Sequence, residues 1–122
     1  MIISTSSHNI LLSTELDAFV HSTMQQALDR FGEDILSIDV FLKDVNGPKG
    51  GVDKQVIVRL HLRNRRQLAI ETLDENLYAA VRRSAKRAKT AVRRSLRKSR
   101  RIEKFRMHKR LDSRRLTAGL NA

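Results

Sequence analysis

"DVNGPKGGVDKQVIVRLHL", residues 44–62, decides the fold, because the element after its glycines is either a helix or a strand. A phosphate-cradling loop needs glycines followed by a lysine and a hydroxyl residue at a helix N-terminus, where backbone N–H groups and the helix dipole converge on the anion. Here Lys49 precedes Gly50, no Ser or Thr comes after it, and the next residues alternate. Val56, Val58, Leu60 and Leu62 share one side; Gln55, Ile57, Arg59 and His61 share the other. A period of two is a strand. Asn46-Gly47 and Gly50-Gly51 tolerate the positive φ that a wide hairpin connection uses, so residues 44–54 are expected to be a hairpin loop. A subsidiary contact of Lys49 and exposed N–H groups with a nucleic-acid backbone stays open.

The same alternation places the neighbouring strands. Upstream, Ile38, Val40 and Leu42 oppose Asp39, Phe41 and Lys43; downstream of the basic turn "RNRR" at 63–66, Leu68 and Ile70 oppose Ala69 and Glu71. One side of each strand is apolar and the other mixed, which predicts a sheet covered on one face only. "MIIST" at the N-terminus is a fourth strand, β-branched and short. Between it and residue 35, Leu16, Val20, Met24, Ala27 and Phe31 recur at helical spacing. Ser13 or Thr14 is the cap, Glu15 and Asp17 sit in the first turn, and Gly32 is expected at C′. A second helix opens at Asp74, its expected cap, with Leu77, Val81, Ala85, Ala88, Val92 and Leu96 as its apolar stripe. No Gly or Pro interrupts it before residue 119; the packed part is expected to end near 100 and "MHKRLDSRRLTAGLNA" to be a mobile tail. The order is β-α-β-β-β-α, an α+β fold with a four-stranded sheet and two helices on one face. Domain limits are expected at 1–104, with a basic tail over 105–122.

Charge is segregated along the 122 residues. Residues 1–81 hold 8 Lys/Arg and 11 Asp/Glu, a net of 8 − 11 = −3, whereas residues 82–115 hold 17 and 2, a net of 17 − 2 = +15. At 100° per residue the apolar stripe of the second helix spans roughly 100° of arc. Arg82, Arg83, Lys86, Arg87, Arg93, Arg94, Arg97, Arg101 and Lys104 fall on the opposite half. A solvated face would intersperse Glu to gain i,i+4 pair energy, yet no acid lies between residues 76 and 102. Repeated like-charge neighbours make sense when counter-charge comes from outside: nucleic acid first, an acidic protein or anionic surface second. Arginine outnumbers lysine, which suits bidentate phosphate contacts. Aromatic interleaving is missing from this stretch, since Tyr78 comes early and Phe105 late. Structured RNA read through shape and backbone fits better than a single-strand stacking platform.

Other chemistries lack a foothold. The chain has no cysteine, hence no disulfide and no thiolate metal site, in keeping with a reducing cytosol. His8, His21, His61 and His108 lie in different elements without ligand spacing. Asp39, Asp44 and Asp53 are explained by strand-end and turn duties. No run of about 18 apolar residues offers a membrane span, and the N-terminus lacks the pattern of a secretory signal. Neither an enzyme nor a cofactor, metal or small-molecule substrate is expected.

The loop "DVNGPKGGVDK", the strand "VIVRLHL" and the opening "DENLYAAVRRSAKRAKTAVRR" of the second helix together resemble the ribosome hibernation-promoting factor and ribosome-associated inhibitor family, also catalogued as sigma-factor modulation proteins. The resemblance covers about residues 1–100. It implies a fold similar to double-stranded-RNA-binding domains and a cytoplasmic protein that binds the small ribosomal subunit between head and body. There it would occupy the mRNA channel and tRNA sites and silence translation in stationary phase or stress. The rRNA contacts it implies carry over to Arg82, Arg83, Lys86, Arg87, Arg93, Arg94 and Arg97, with Arg101 continuing that face and Lys49 and Lys54 beside them. Two features depart from the family pattern. The first helix carries Glu15, Asp17 and Asp29 and no lysine, and residues 105–122 are expected to be a short basic tail in place of the domain with which long members pair ribosomes. The expectation is a monomeric short form that binds small-subunit rRNA; the alternative is a modulator of an acidic protein partner such as a polymerase factor.

Overall fold

The computed structural model describes residues 1–45 and 52–120, with side chains as far as residue 110. Four strands, β1 (Ile2–His8), β2 (Ile35–Asp44), β3 (Lys54–Leu62) and β4 (Gln67–Asp74), form one sheet in the order β1-β2-β3-β4. Helix α1 (Thr14–Leu28) connects β1 to β2, which pair in parallel, and helix α2 (Leu77–Leu120) comes after β4. The β2–β3 and β3–β4 pairs are antiparallel. The β-α-β-β-β-α order expected from periodicity is the observed one.

The hairpin expected of the glycine-rich stretch is present at both of its described ends. Asp44 pairs with Lys54, and the Val45 N–H donates to Asp53 O at 2.9 Å. The stretch leads into β3, a strand, and not into a helix N-terminus. Lys49 itself lies outside the described residues.

Alternation sets the core. Ile38, Val40, Leu42, Val56, Val58, Leu60, Leu62 and Ile70 are buried on one face, against Leu16, Val20, Met24 and Leu28 of α1 and Ala80, Val81, Ala85, Ala88 and Val92 of α2. Ile35 is buried as well, although its parity differs from that of Ile38. A register shift between Ile35 and Ser37 resolves this, since a bulge turns Leu36 out to solvent. The second hairpin closes through Arg65 N–H to Leu62 O and Leu62 N–H to Arg66 O, with Arg65 at φ 69°. A turn ending in one left-handed residue is the three-residue hairpin geometry.

The helix ends differ from expectation in three places. Ser13, rather than Thr14, caps α1, its hydroxyl accepting from Leu16 N–H at 3.1 Å. The α-helix stops at Leu28 and a 3-10 turn covers Asp29–Phe31; Gly32 has φ −56°, so it is not a left-handed C′ residue. Asn76, not Asp74, caps α2: its side-chain oxygen accepts from Tyr78 and Ala79 N–H at 2.9 and 3.2 Å. Asp74 stands one step back and accepts from Asn76 N–H, fixing the turn that presents the cap.

Past residue 100 the backbone stays helical to Leu120, in place of the expected tail. Arg, Lys, Leu and Met are good helix formers and nothing in 101–118 breaks the ladder, so the loss of core residues does not end the helix. The chain divides into two compact units, Met1–Val92 and Arg93–Ala122, with the division inside α2. The Asn76→Ala variant leaves two first-turn N–H groups without their acceptor and is expected to lose about 1 kcal/mol of stability, measurable as a shift of the urea midpoint.

Candidate nucleic-acid interface

In the first unit, α2 presents Arg82, Arg83, Lys86 and Arg87 as exposed side chains; in the second, Arg94, Arg97 and Arg101 are exposed and Arg93 is half-buried. None lies on the buried arc. That arc is wider than the stripe of large residues suggests, because Ala80 and Ser84 are fully buried too. Ser84 satisfies its hydroxyl by donating to Ala80 O at 2.8 Å, one turn back. Beside these buried small residues, Arg83 and Arg87 come at the margin of β4.

Those two arginines therefore do more than face solvent. Arg83 donates to the Asp74 carboxylate at 3.0 Å and to Leu73 O at 3.3 Å. Arg87 donates to Glu71 O and, at 3.0 Å, to Thr72 Oγ1. In an antiparallel strand, residues 71 and 73 turn their carbonyls to the same side, and β4 is an edge strand with β3 on its other side. The two guanidinium groups thus cap edge carbonyls that would otherwise offer a template for strand addition. Lys54 is engaged in a comparable way. Its Nζ lies 2.9 Å from Asp44 and 3.0 Å from buried Asp53, closing the mouth of the β2–β3 hairpin. The hydrogen bonds to Asp44 and then Asp53 raise the Lys54 pKa. Its contribution to stability is complete below the ordinary lysine range and is lost as pH rises through the raised value.

Of the ten cations expected to contact rRNA, Arg83, Arg87 and Lys54 have intramolecular partners, and Lys49 lies outside the described residues. Arg82, Lys86, Arg93, Arg94, Arg97 and Arg101 form no ion pair with an acid among the described residues. Arg82 has an aromatic neighbour instead, its guanidinium 6.0 Å from the centre of the Phe19 ring. Phe19 meets Tyr78 edge-on at 4.8 Å. No pattern in the chain signals this cluster, because the two rings lie far apart in sequence and only the packing of α1 beside α2 unites them.

The helix-free face of the sheet is mixed: Phe41 and Ile57 are half-buried among Ser4, Ser6, Asp39 and Arg59, with His61 3.6 Å from Asp39. No three His, Cys, Asp or Glu residues among those described are placed to hold a metal ion. No described helix is long and apolar enough to cross a membrane.

The profile of the Sigma 54 modulation protein / S30EA ribosomal protein family matches residues 3–100. The chain belongs to that family. No curated protein matches it in sequence. Among solved structures it is similar to the Thermus thermophilus Protein Y N-terminal domain, with 23% identity and a TM-score of 0.65 over 77% of this chain and 98% of that one. It is also similar to a ribosomal subunit interface protein from Coxiella burnetii, with 14% identity and a TM-score of 0.66 over 78% of this chain and 97% of that one. At these identities both comparisons speak for the fold. The matched span ends near the last core-quality residue of α2, Leu96, and leaves the basic extension outside it.

The edge-capping arginines make two outcomes testable. The double variant Arg83→Ala/Arg87→Ala is expected to melt at lower temperature and to exchange β4 amides faster, whereas Arg97→Ala leaves both unchanged. Asp74 has its pKa lowered by the Asn76 N–H first and by Arg83 second. Its stabilisation is present above the ordinary carboxylate value and is lost as pH falls through the lowered one. Asp74→Asn should therefore flatten the acid limb of a stability–pH curve measured by urea denaturation.

Proposed function

We propose that this protein is a non-enzymatic, cytoplasmic, monomeric ribosome-binding factor that docks on small-subunit rRNA through α2 and obstructs the mRNA channel and tRNA sites under stress. The observation that carries the proposal is the run of exposed arginines and lysines on α2 with no acid between residues 76 and 102. Membership of a family described by a ribosomal protein supports the ribosome as the polyanion. So does likeness to a protein whose description is a ribosomal subunit interface protein.

The mechanism is electrostatic and steric. Arginines neutralise rRNA phosphates and release their counterions, and the folded sheet-and-helix body then excludes other ligands from the occupied channel. Arg82, Lys86, Arg93, Arg94, Arg97 and Arg101 carry this contact. Arg83 and Arg87 share their donors between β4 and the RNA, and Lys49 and Lys54 lie at a second, smaller contact on the hairpin. We assign residues 1–104 to the ribosome-binding domain and 105–122 to a basic extension of it.

The name of the family also includes a sigma-factor modulator, which keeps an acidic protein partner as the second proposal. Nuclease separates the two, because a protein partner survives RNase in a pull-down and rRNA does not. The combined variant Arg93→Glu/Arg94→Glu is expected to abolish co-sedimentation with isolated small subunits while its circular dichroism and melting temperature stay those of the parent. Undiminished co-sedimentation would place the contact elsewhere.

A further inference from the structure

We propose that Tyr78, Phe19 and Arg82 form a stacking site for one unpaired RNA base, at the α1 side of the first turns of α2. The proposal rests on the rRNA reading above and adds to it a base-sensitive contact within an otherwise phosphate-directed surface.

The geometry is specific. Phe19 stands edge-on to Tyr78, ring centres 4.8 Å apart and planes at 60°, and so occupies one side of the tyrosine. Tyr78 nevertheless keeps 42% of its surface exposed. Arg82, one turn along the helix, holds its guanidinium 6.0 Å from the Phe19 ring centre and is itself exposed. The site therefore offers an aromatic ring braced by a second ring and flanked by a planar cation.

Packing of α1 against α2 alone would account for the edge contact. It does not account for a tyrosine that stays open beside the exposed guanidinium of Arg82, one turn along α2. Aliphatic residues would join the helices as well and expose less aromatic surface. Exposed aromatic rings and arginine planes are the groups on which splayed-out RNA bases stack, and such stacking tolerates any base because every base has a π-face. Charge selects RNA over an apolar peptide as occupant: Arg82 and Lys86 come within three turns of Tyr78, and no acid lies between residues 76 and 102.

Two short RNA hairpins test this at low salt, identical except that one carries a single unpaired 2-aminopurine in its stem. The parent protein and Tyr78→Phe are expected to bind the bulged hairpin about tenfold more tightly than the paired one and to quench its fluorescence. Tyr78→Ala should lose that preference while binding the paired hairpin as the parent does. Tyr78 is the only tyrosine in a chain without tryptophan, so 3-fluorotyrosine gives a single fluorine resonance in the unmutated protein. That resonance should shift with the bulged hairpin and stay in place with the paired one, a readout independent of how Tyr78→Ala folds. Equal affinity of the parent for both hairpins, or an unmoved resonance, overturns the stacking site and leaves the rRNA proposal standing. Failure of the parent to bind either hairpin removes both.

Discussion

A four-stranded sheet with one apolar face must have that face covered, and the rest of the molecule is arranged to meet this requirement. Two central strands contribute Ile38, Val40, Leu42, Val56, Val58, Leu60 and Leu62 to the same side, all essentially inaccessible to water. Helix α1 covers it with large residues, Met24 and Leu28 among them, and α2 with small ones, Ala80, Ser84, Ala85 and Ala88. The cations of α2 in the first unit are sorted by whether their side chains reach the sheet. Arg83 and Arg87, at the margin, reach β4; Arg82 and Lys86 form no ion pair with an acid among the described residues.

The sorting gives one helix two kinds of arginine. Arg83 and Arg87 commit donors to Leu73 O, Glu71 O, Thr72 and Asp74, where they protect an otherwise bare sheet edge. Arg82, Arg94, Arg97 and Arg101 carry charge that the described fold leaves without an acidic partner. Like charges one turn apart each cost a few tenths of a kcal/mol in an isolated helix. The first unit tolerates that repulsion because its hydrophobic cover holds α2 in place, and an external polyanion would relieve it. The buried side of α2 and its outer cations thus lie apart in the first unit, so a charge on the outer side can be changed without disturbing the core.

Strand and helix identities are legible in the sequence because burial on one face imposes its period directly: 38-40-42 and 56-58-60-62 for strands, 77-81-85-88-92 for the helix. The strand after the glycine-rich stretch is legible too, since its residues alternate. The features that escape a reading of the sequence depend on contacts between distant parts of the chain. Asn76 rather than Asp74 as cap reflects a turn whose geometry both residues share. The bulge at Leu36 is needed only because Ile35 must join a core that other strands define. The length of α2 escapes for a different reason: core residues do not set it, and helix-forming residues carry it to Leu120. The site shows the same divide. A charge run is visible in one dimension, but the engagement of Arg83, Arg87 and Lys54, and the meeting of Phe19 with Tyr78, exist only in three.

The central claim is that uncompensated cations on α2 bind phosphate. Its most direct test is the equilibrium affinity of the intact protein for isolated small ribosomal subunits across a range of monovalent salt. About six contacted phosphates, one for each singled-out cation of α2 without an intramolecular acid or carbonyl partner, predict that the logarithm of the association constant falls against the logarithm of salt concentration with a slope of about −5. A slope near zero would contradict the account, since binding would then owe little to counterion release and the arginine face would be merely solvated.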